Sequence, residues 1–414
     1  MAPYASDDST PAGKADDLRV GRRKAVRYIV PVTVIGVAAA TIGLVPALAD
    51  SGDPDLPKIT AQQLIEKIAA SDVQQLSGTV KITTDLGLPD LGGLESGLLS
   101  GVAGGGEGDG GSSADPSAKL TELASGTHTL RVAADGPDKQ KLSLLENAAE
   151  YSLIHDGKDV WGYDSASNEV YHSTAPEGEK AAEPVPTTPK DLTDEALKAV
   201  DDTTSVTVDG TVQVAGRDAY KLLVKPKQSG STVGAISVAV DARTGLPLKF
   251  TLTPTSGGAA VVDAGFTQVS FAKPAASTFD FTPPKGAKVT EEDSTDAPTG
   301  VPAPSKDGFK GHDKGDLEGD FAKDFAGLDV IGEGWTTVAT FDSGGEGVPS
   351  SGDLPDAGGL GGFLGSFGDK VDGKFGSGTV FSTRLVNALV TDDGKVYVGA
   401  VTKDALVKAA NTGK

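Results

Sequence analysis

Short runs that alternate apolar and polar residues, broken every six to ten positions by turn signals, constrain this chain more than any other feature. "THTLRVAA", "QKLSLLEN", "AEYSLIH", "KDVWGYD" and "NEVYH" follow one another between residues 126 and 172. Period-two alternation places successive side chains on opposite sides of a strand, and breaks this short leave room only for hairpins. The stretch is therefore an antiparallel meander, with Asp156-Gly157 as a tight turn and Asp164–Asn168 as a looser one. A second meander follows at 205–214, 217–227, 235–241, 247–254 and 260–271, with "DARTG" (241–245) as one of its turns. "FDFTPPKGAKV" (279–289) closes this unit.

Helices punctuate the strands. Thr60 and Gln63 form a capping box, and Leu64, Ile65 and Ile68 share one face. A strand at 76–83 carries Leu76, Val80 and Ile82 at alternate positions, and "TDEALKAV" (193–200) reads as a helix capped by Thr193. The segment 86–115 is too rich in glycine to be a packed element, and 174–190 is an acidic, Pro-rich loop. Residues 290–320 are a charged Pro/Gly linker. Beyond it a small unit spans 321–414, with a strand at 334–341, a hairpin at 384–401 turned at Asp392–Gly394, and a helix after Thr402.

The N-terminus has the layout of an export signal. Arg22, Arg23, Lys24 and Arg27 precede an apolar run from Ile29 to Ala49 that ends in Ala47-Leu48-Ala49, an A-x-A cleavage site. Left uncut, the run is long enough to span a bilayer, so a signal anchor is the alternative. In either case the rest of the chain is expected outside the cytoplasm. A net charge of −21 argues against phosphate backbones as partners. With no cysteine, the chain has no disulfide, thiolate nucleophile or acylated lipobox.

The motifs that carry catalysis are missing. His128, His155, His172 and His312 show no metal-ligand spacing, and no G-x-S-x-G is present. "GEGDGG" (106–111) fits a dinucleotide fingerprint only formally: it lies between no strand and helix, and Glu107 and Asp109 would repel a pyrophosphate. We expect no catalytic residue, metal or cofactor.

Four segments, in order, resemble the LolA-like superfamily of lipoprotein carriers, which also includes RseB/MucB-like regulators. They are "DGKDVWGYDSASNEVY", "VAGRDAYKLLVKPK" (214–227), "VDARTGLPLKFTL" (240–252) and "FDFTPPKGAKV". The resemblance covers roughly 60–289 and implies an α+β fold: a half-open antiparallel β-barrel, helices over its concave face, and an apolar cavity between them. A lipid, an acyl chain or a lipidated protein is the ligand it implies. The alternative is an envelope sensor that regulates an anti-sigma factor or another envelope partner. Candidate wall residues are Leu64, Ile68, Val80, Ile82, Trp161, Tyr163, Tyr220, Leu222, Val224, Phe250 and Leu252. Alternation alone leaves open which of them share a face. The Leu-studded glycine loops 86–101 and 354–367 read either as gates or membrane contacts, or as linkers with incidental leucines.

Overall fold

A computed structural model describes residues 53–87, 112–116, 119, 122–174, 188–292, 329–342 and 368–412. The leader, the whole of the glycine loop 354–367 and all but residues 86 and 87 of the loop 86–101 lie outside the described residues. No helix among those described is long and apolar enough to cross a membrane.

The first meander folds as β1 (Gln75–Thr84), β2 (Gly126–Asp135), β3 (Lys139–Glu146), β4 (Ala149–Asp156), β5 (Asp159–Asp164) and β6 (Glu169–Thr174). The second is β7 (Thr204–Val214), β8 (Arg217–Pro226), β9 (Val233–Asp241), β10 (Pro247–Pro254) and β11 (Val262–Ser270), closed by β12 (Lys288–Glu292). They form one unclosed sheet in the order β12-β6-β5-β4-β3-β2-β1-β11-β10-β9-β8-β7. The meanders join where β1 pairs with β11, a contact made by residues nearly two hundred positions apart. All neighbours are antiparallel except β12, which lies parallel to β6. β12 takes in residues 290–292, which the sequence assigns to the linker.

Helices α1 (Ala61–Ala69) and α2 (Pro189–Lys198) cover one face. The Thr60 capping box forms as expected. α2 begins one turn earlier than expected. Thr188 is its cap and exchanges hydrogen bonds with Asp191, while Pro189, whose fixed φ suits a first helical position, opens the helix. Thr193 is instead fully buried, its hydroxyl donating to the Pro189 carbonyl at 2.6 Å. The β4–β5 turn also moves by one residue: Asp156 pairs with Asp159, so Gly157 and Lys158 form the loop, with Gly157 at φ 67°. A positive φ at the first central residue alone is the type II′ geometry that glycine favours.

The C-terminal residues build a second sheet: β13 (Asp329–Ile331), β14 (Val338–Asp342), β15 (Asp369–Gly373), β16 (Gly376–Ser382), β17 (Asn387–Thr391) and β18 (Lys395–Gly399). The strand expected at 334–341 starts only at Val338, because Gly334–Thr336 form a 3-10 turn. That turn points Trp335 at the first sheet, where its indole N–H donates to Thr204 Oγ1 at 2.7 Å. Helix α3 (Lys403–Thr412) packs Leu406 and Ala410 into a core with Val380, Leu389 and Tyr397. Trp335, Leu385 and Ala400 add to the core under α1, and Ser231 pairs with Val401 in a β-bridge. At the far end of β1, Arg384 ion-pairs with Asp85 while its backbone N–H donates to the Leu86 carbonyl at 2.8 Å.

Candidate ligand-binding face

The register sorts the candidate residues onto two faces. Leu222, Val238, Phe250, Ala264 and Ile82 lie directly opposite one another across five neighbouring strands. Val80 sits two residues from Ile82 and continues the face through Leu130, Leu144 and Tyr151. This is the face that the helices cover. Leu64 and Ile68 of α1 pack with Tyr220, Leu222, Val224, Val238 and Phe250, and Leu192, Ala196 and Leu197 of α2 lie against the same cluster. Leu252 is half-buried beside them.

Trp161 and Tyr163 face the other way. Tyr163 lies opposite Ser152, the neighbour of Tyr151 in sequence and therefore on the reverse side of β4. The structure thus brings nine of the eleven candidates together and parts the two rings from them. The Trp161 ring stacks on His172 at 3.7 Å between centroids, and Phe281 leans on Trp161 at 5.5 Å and on Tyr163 at 5.7 Å. The imidazole nitrogens meet carboxylates on two strands, Nε2 with Asp159 at 3.0 Å and Nδ1 with Glu291 at 2.5 Å. Burial alone would lower the basicity of His172, but the bonds to Asp159 and Glu291 outweigh it and hold the ring above the usual histidine range. His155 pairs instead with Val160 in the ladder.

On the inner face of β2–β4, Val132, Leu142 and Leu153 lie in register and only half-buried. Leu76, Val269 and Phe271 extend this apolar shelf, and all six pack against the buried cluster of Val80, Leu130 and Leu144. At the rim the Arg217 guanidinium lies 4.5 Å above the Phe271 ring and forks onto the buried carboxylate of Asp241, with Nη2–Oδ1 at 3.0 Å. Burial would raise the Asp241 acid; Arg217 and the Thr244 N–H and hydroxyl lower it below the usual range.

Beside the shelf, the described residues between Ser112 and Ser125 cross the inner face as a strap. Its presence corrects the expectation that 86–115 contains nothing packed, since Ala114 is fully buried. The strap is tied down by polar contacts on β1, β3, β4, β5 and β6. Tyr151 donates its hydroxyl to the Ala114 carbonyl at 3.2 Å, and Thr84 donates to the Leu123 carbonyl at 3.2 Å. Ser113 gives Glu169 both its N–H and its hydroxyl at 2.8 Å, with Ser112 adding a third bond at 3.2 Å. These donors and Lys288 pull the Glu169 carboxyl down to about 2. Lys119 reaches Glu146 at 3.0 Å and the buried Asp164 at 3.6 Å. Burial disfavours its charge, yet the bond to Glu146 and the surrounding carboxylates raise its pKa on balance.

Apart from Leu76, the residues of the shelf and the strap are not among those that the sequence singles out. Leu142/Leu144 and Tyr151/Leu153 carry a readable alternation, but nothing local says that Ser112 and Ser113 meet Glu169 more than fifty residues on.

In class, the first sheet with its helices is a half-barrel, mostly β and left open between its edge strands β7 and β12. No protein-family model matches the chain, and no curated protein does either. Among solved structures, the MucA/MucB complex of Pseudomonas aeruginosa is similar at 16% identity and a TM-score of 0.38, over 84% of this chain and 96% of that one. An uncharacterized conserved protein of Thermus thermophilus is 13% identical over 56% of this chain and 99% of its own, at a TM-score of 0.30. A LolA superfamily protein of Nitrosomonas europaea is 11% identical over 54% and 99%, at a TM-score of 0.21.

Proposed function

We propose that the chain is a non-enzymatic carrier, exported from the cytoplasm, that binds the acyl chain of a lipid or of a lipidated protein on the inner face. The observation that carries this reading is the register-matched stripe Val132–Leu142–Leu153, apolar and half-buried beside a strap fastened largely by polar contacts. An acyl chain laid along the stripe would cover it and slide under the strap. Burying methylenes contributes about 0.8 kcal/mol each, so a dozen supply about 10 kcal/mol before the loss of several to immobilisation. Such a ligand needs no polar recognition motif, which accords with a sequence that has none.

Native mass spectrometry with lipid extraction tests the proposal, on protein produced with its own leader. A copurifying lipid that is lost in Leu142→Asn is the expected result. Protein that carries no lipid and takes up no fluorescent fatty acid would overturn it.

One observation favours a second reading, an envelope sensor that regulates an anti-sigma factor or another partner. Arg384 of the second sheet grips Asp85 and Leu86, directly after the strand that bears Val80 and Ile82. Movement of β1 on ligand binding would therefore reach the second sheet. Lipid-dependent capture of an envelope protein by the full chain distinguishes this reading from a free carrier.

A further inference from the structure

The outer face holds a second concavity, separated from the shelf by the thickness of the sheet. It is an open groove of about 310 Å³ lined by Lys141, Glu150, Ser152, Ile154, Tyr163, Ser165 and Phe281. We propose that this groove binds a small aromatic anion, with its rings against Ile154, Tyr163 and Phe281 and its acid group on Lys141.

The residues carry the chemistry as follows. Ile154 and Ser152, 2% and 5% exposed, form a floor with an apolar half and a hydroxyl half. Tyr163 and Phe281 supply two tilted rings, and Phe281 is braced from behind by Trp161. Offset or edge-on contact with such rings favours a flat, unsaturated ligand over a flexible one. The groove's volume lies at the lower edge of the range that holds small molecules, room for one or two rings and too little for a long acyl chain.

Charge selects the sign of the ligand. The two acidic and hydroxylic groups beside the floor are already engaged: Ser152 donates to Glu150 at 3.0 Å, and Arg131 lies 3.9 Å from the same carboxylate. Ser165 accepts from the Glu150 backbone N–H at 2.8 Å. Lys141 forms no ion pair with any described residue, although the neighbouring Lys139 is paired with Asp156. Lys141, among the residues that line the aromatic groove, is therefore the cation available there to a charge-assisted bond with an anionic ligand.

Three probes of one shape test this: 1-naphthoate, 1-naphthalenemethanol and 1-naphthylmethylamine, titrated by calorimetry into the full chain. Naphthoate is expected to bind in the submillimolar range and at least tenfold more tightly than the amine. Lys141→Ala should weaken naphthoate about tenfold and leave the alcohol unchanged, while Lys141→Glu should reverse the preference between acid and amine. Lys141 is only partly buried at the groove lip, so both variants keep the core intact. Leu142→Asn, on the opposite face, should leave naphthoate binding as it was even where it abolishes lipid uptake. No naphthoate binding at millimolar concentration, indifference to Lys141→Glu, or loss with Leu142→Asn would each overturn the proposal.

Discussion

Gly162 is the position where a single carbon atom tests the strap. It lies on β5 on the inner face, and its φ is outside the left-handed region, so alanine imposes no backbone strain there. A Cβ at this site would sit 2.4 Å from the Ala114 carbonyl oxygen and 3.0 Å from the Tyr151 hydroxyl, against about 3.4 Å for ordinary contact. The strap carbonyl must therefore retreat by about 1 Å, and overpacking of this kind costs about 1–3 kcal/mol. If the strap lifts instead, the Tyr151–Ala114 hydrogen bond is lost, at about 0.5–1.5 kcal/mol. Alanine recovers about 0.5–1 kcal/mol through the smaller entropy of its unfolded chain. The balance for Gly162→Ala is a net loss of about 1 kcal/mol if the strap stays and is squeezed, and close to zero if the strap lifts. In a domain of this size such a loss lowers the melting temperature by about 2–4 °C per kcal/mol. Calorimetry reads the loss, and limited proteolysis reads whether the segment from Ser112 to Ser125 has become accessible. Faster uptake of a fluorescent fatty acid is expected as the strap lifts. A variant with wild-type melting, a wild-type cleavage pattern and wild-type uptake would refute the idea that the strap lies on Gly162.

Three further outcomes follow from particular contacts. Thr188→Ala removes the cap of α2 and should cost about 1 kcal/mol in denaturant unfolding, whereas Thr188→Ser should cost little because its hydroxyl caps equally well and keeps the bond to Asp191. His172 has a raised folded pKa, so its contribution to stability is complete below the ordinary histidine value near 6.5 and is lost as pH rises through the folded value. The denaturation midpoint should therefore fall as pH rises above about 6.5 by more in wild type than in His172→Gln, and an equal fall in both would remove His172 as the cause. Trp335→Phe deletes the bond to the buried Thr204 hydroxyl and should loosen the second sheet, seen as earlier proteolysis within 368–412 while unfolding of the first sheet shifts by only about 1 kcal/mol.

Much of the half-barrel was legible because its signals are local. Alternation, the Thr60/Gln63 box and the glycine turns act within a few residues, and each was read close to where it lies. The one-turn error at α2 has a local cause too: Thr188-Pro189 is a better helix start than Thr193, and the surrounding Pro-rich run obscured it. The face of each strand, by contrast, depends on pairings that no local pattern contains. Val80 is inward because it meets Phe266 and Leu130, and a bulge between Thr79 and Val80 sets that register. Trp161 and Tyr163 alternate just as well, but Gly162 between them is the residue that faces the strap. A glycine between two rings looks like a mere spacer; here its missing side chain makes room for Ala114, and the rings are turned outward as a consequence. The "VWGY" segment thus serves both faces at once, giving the inner one clearance for the strap and the outer one the wall of the aromatic groove.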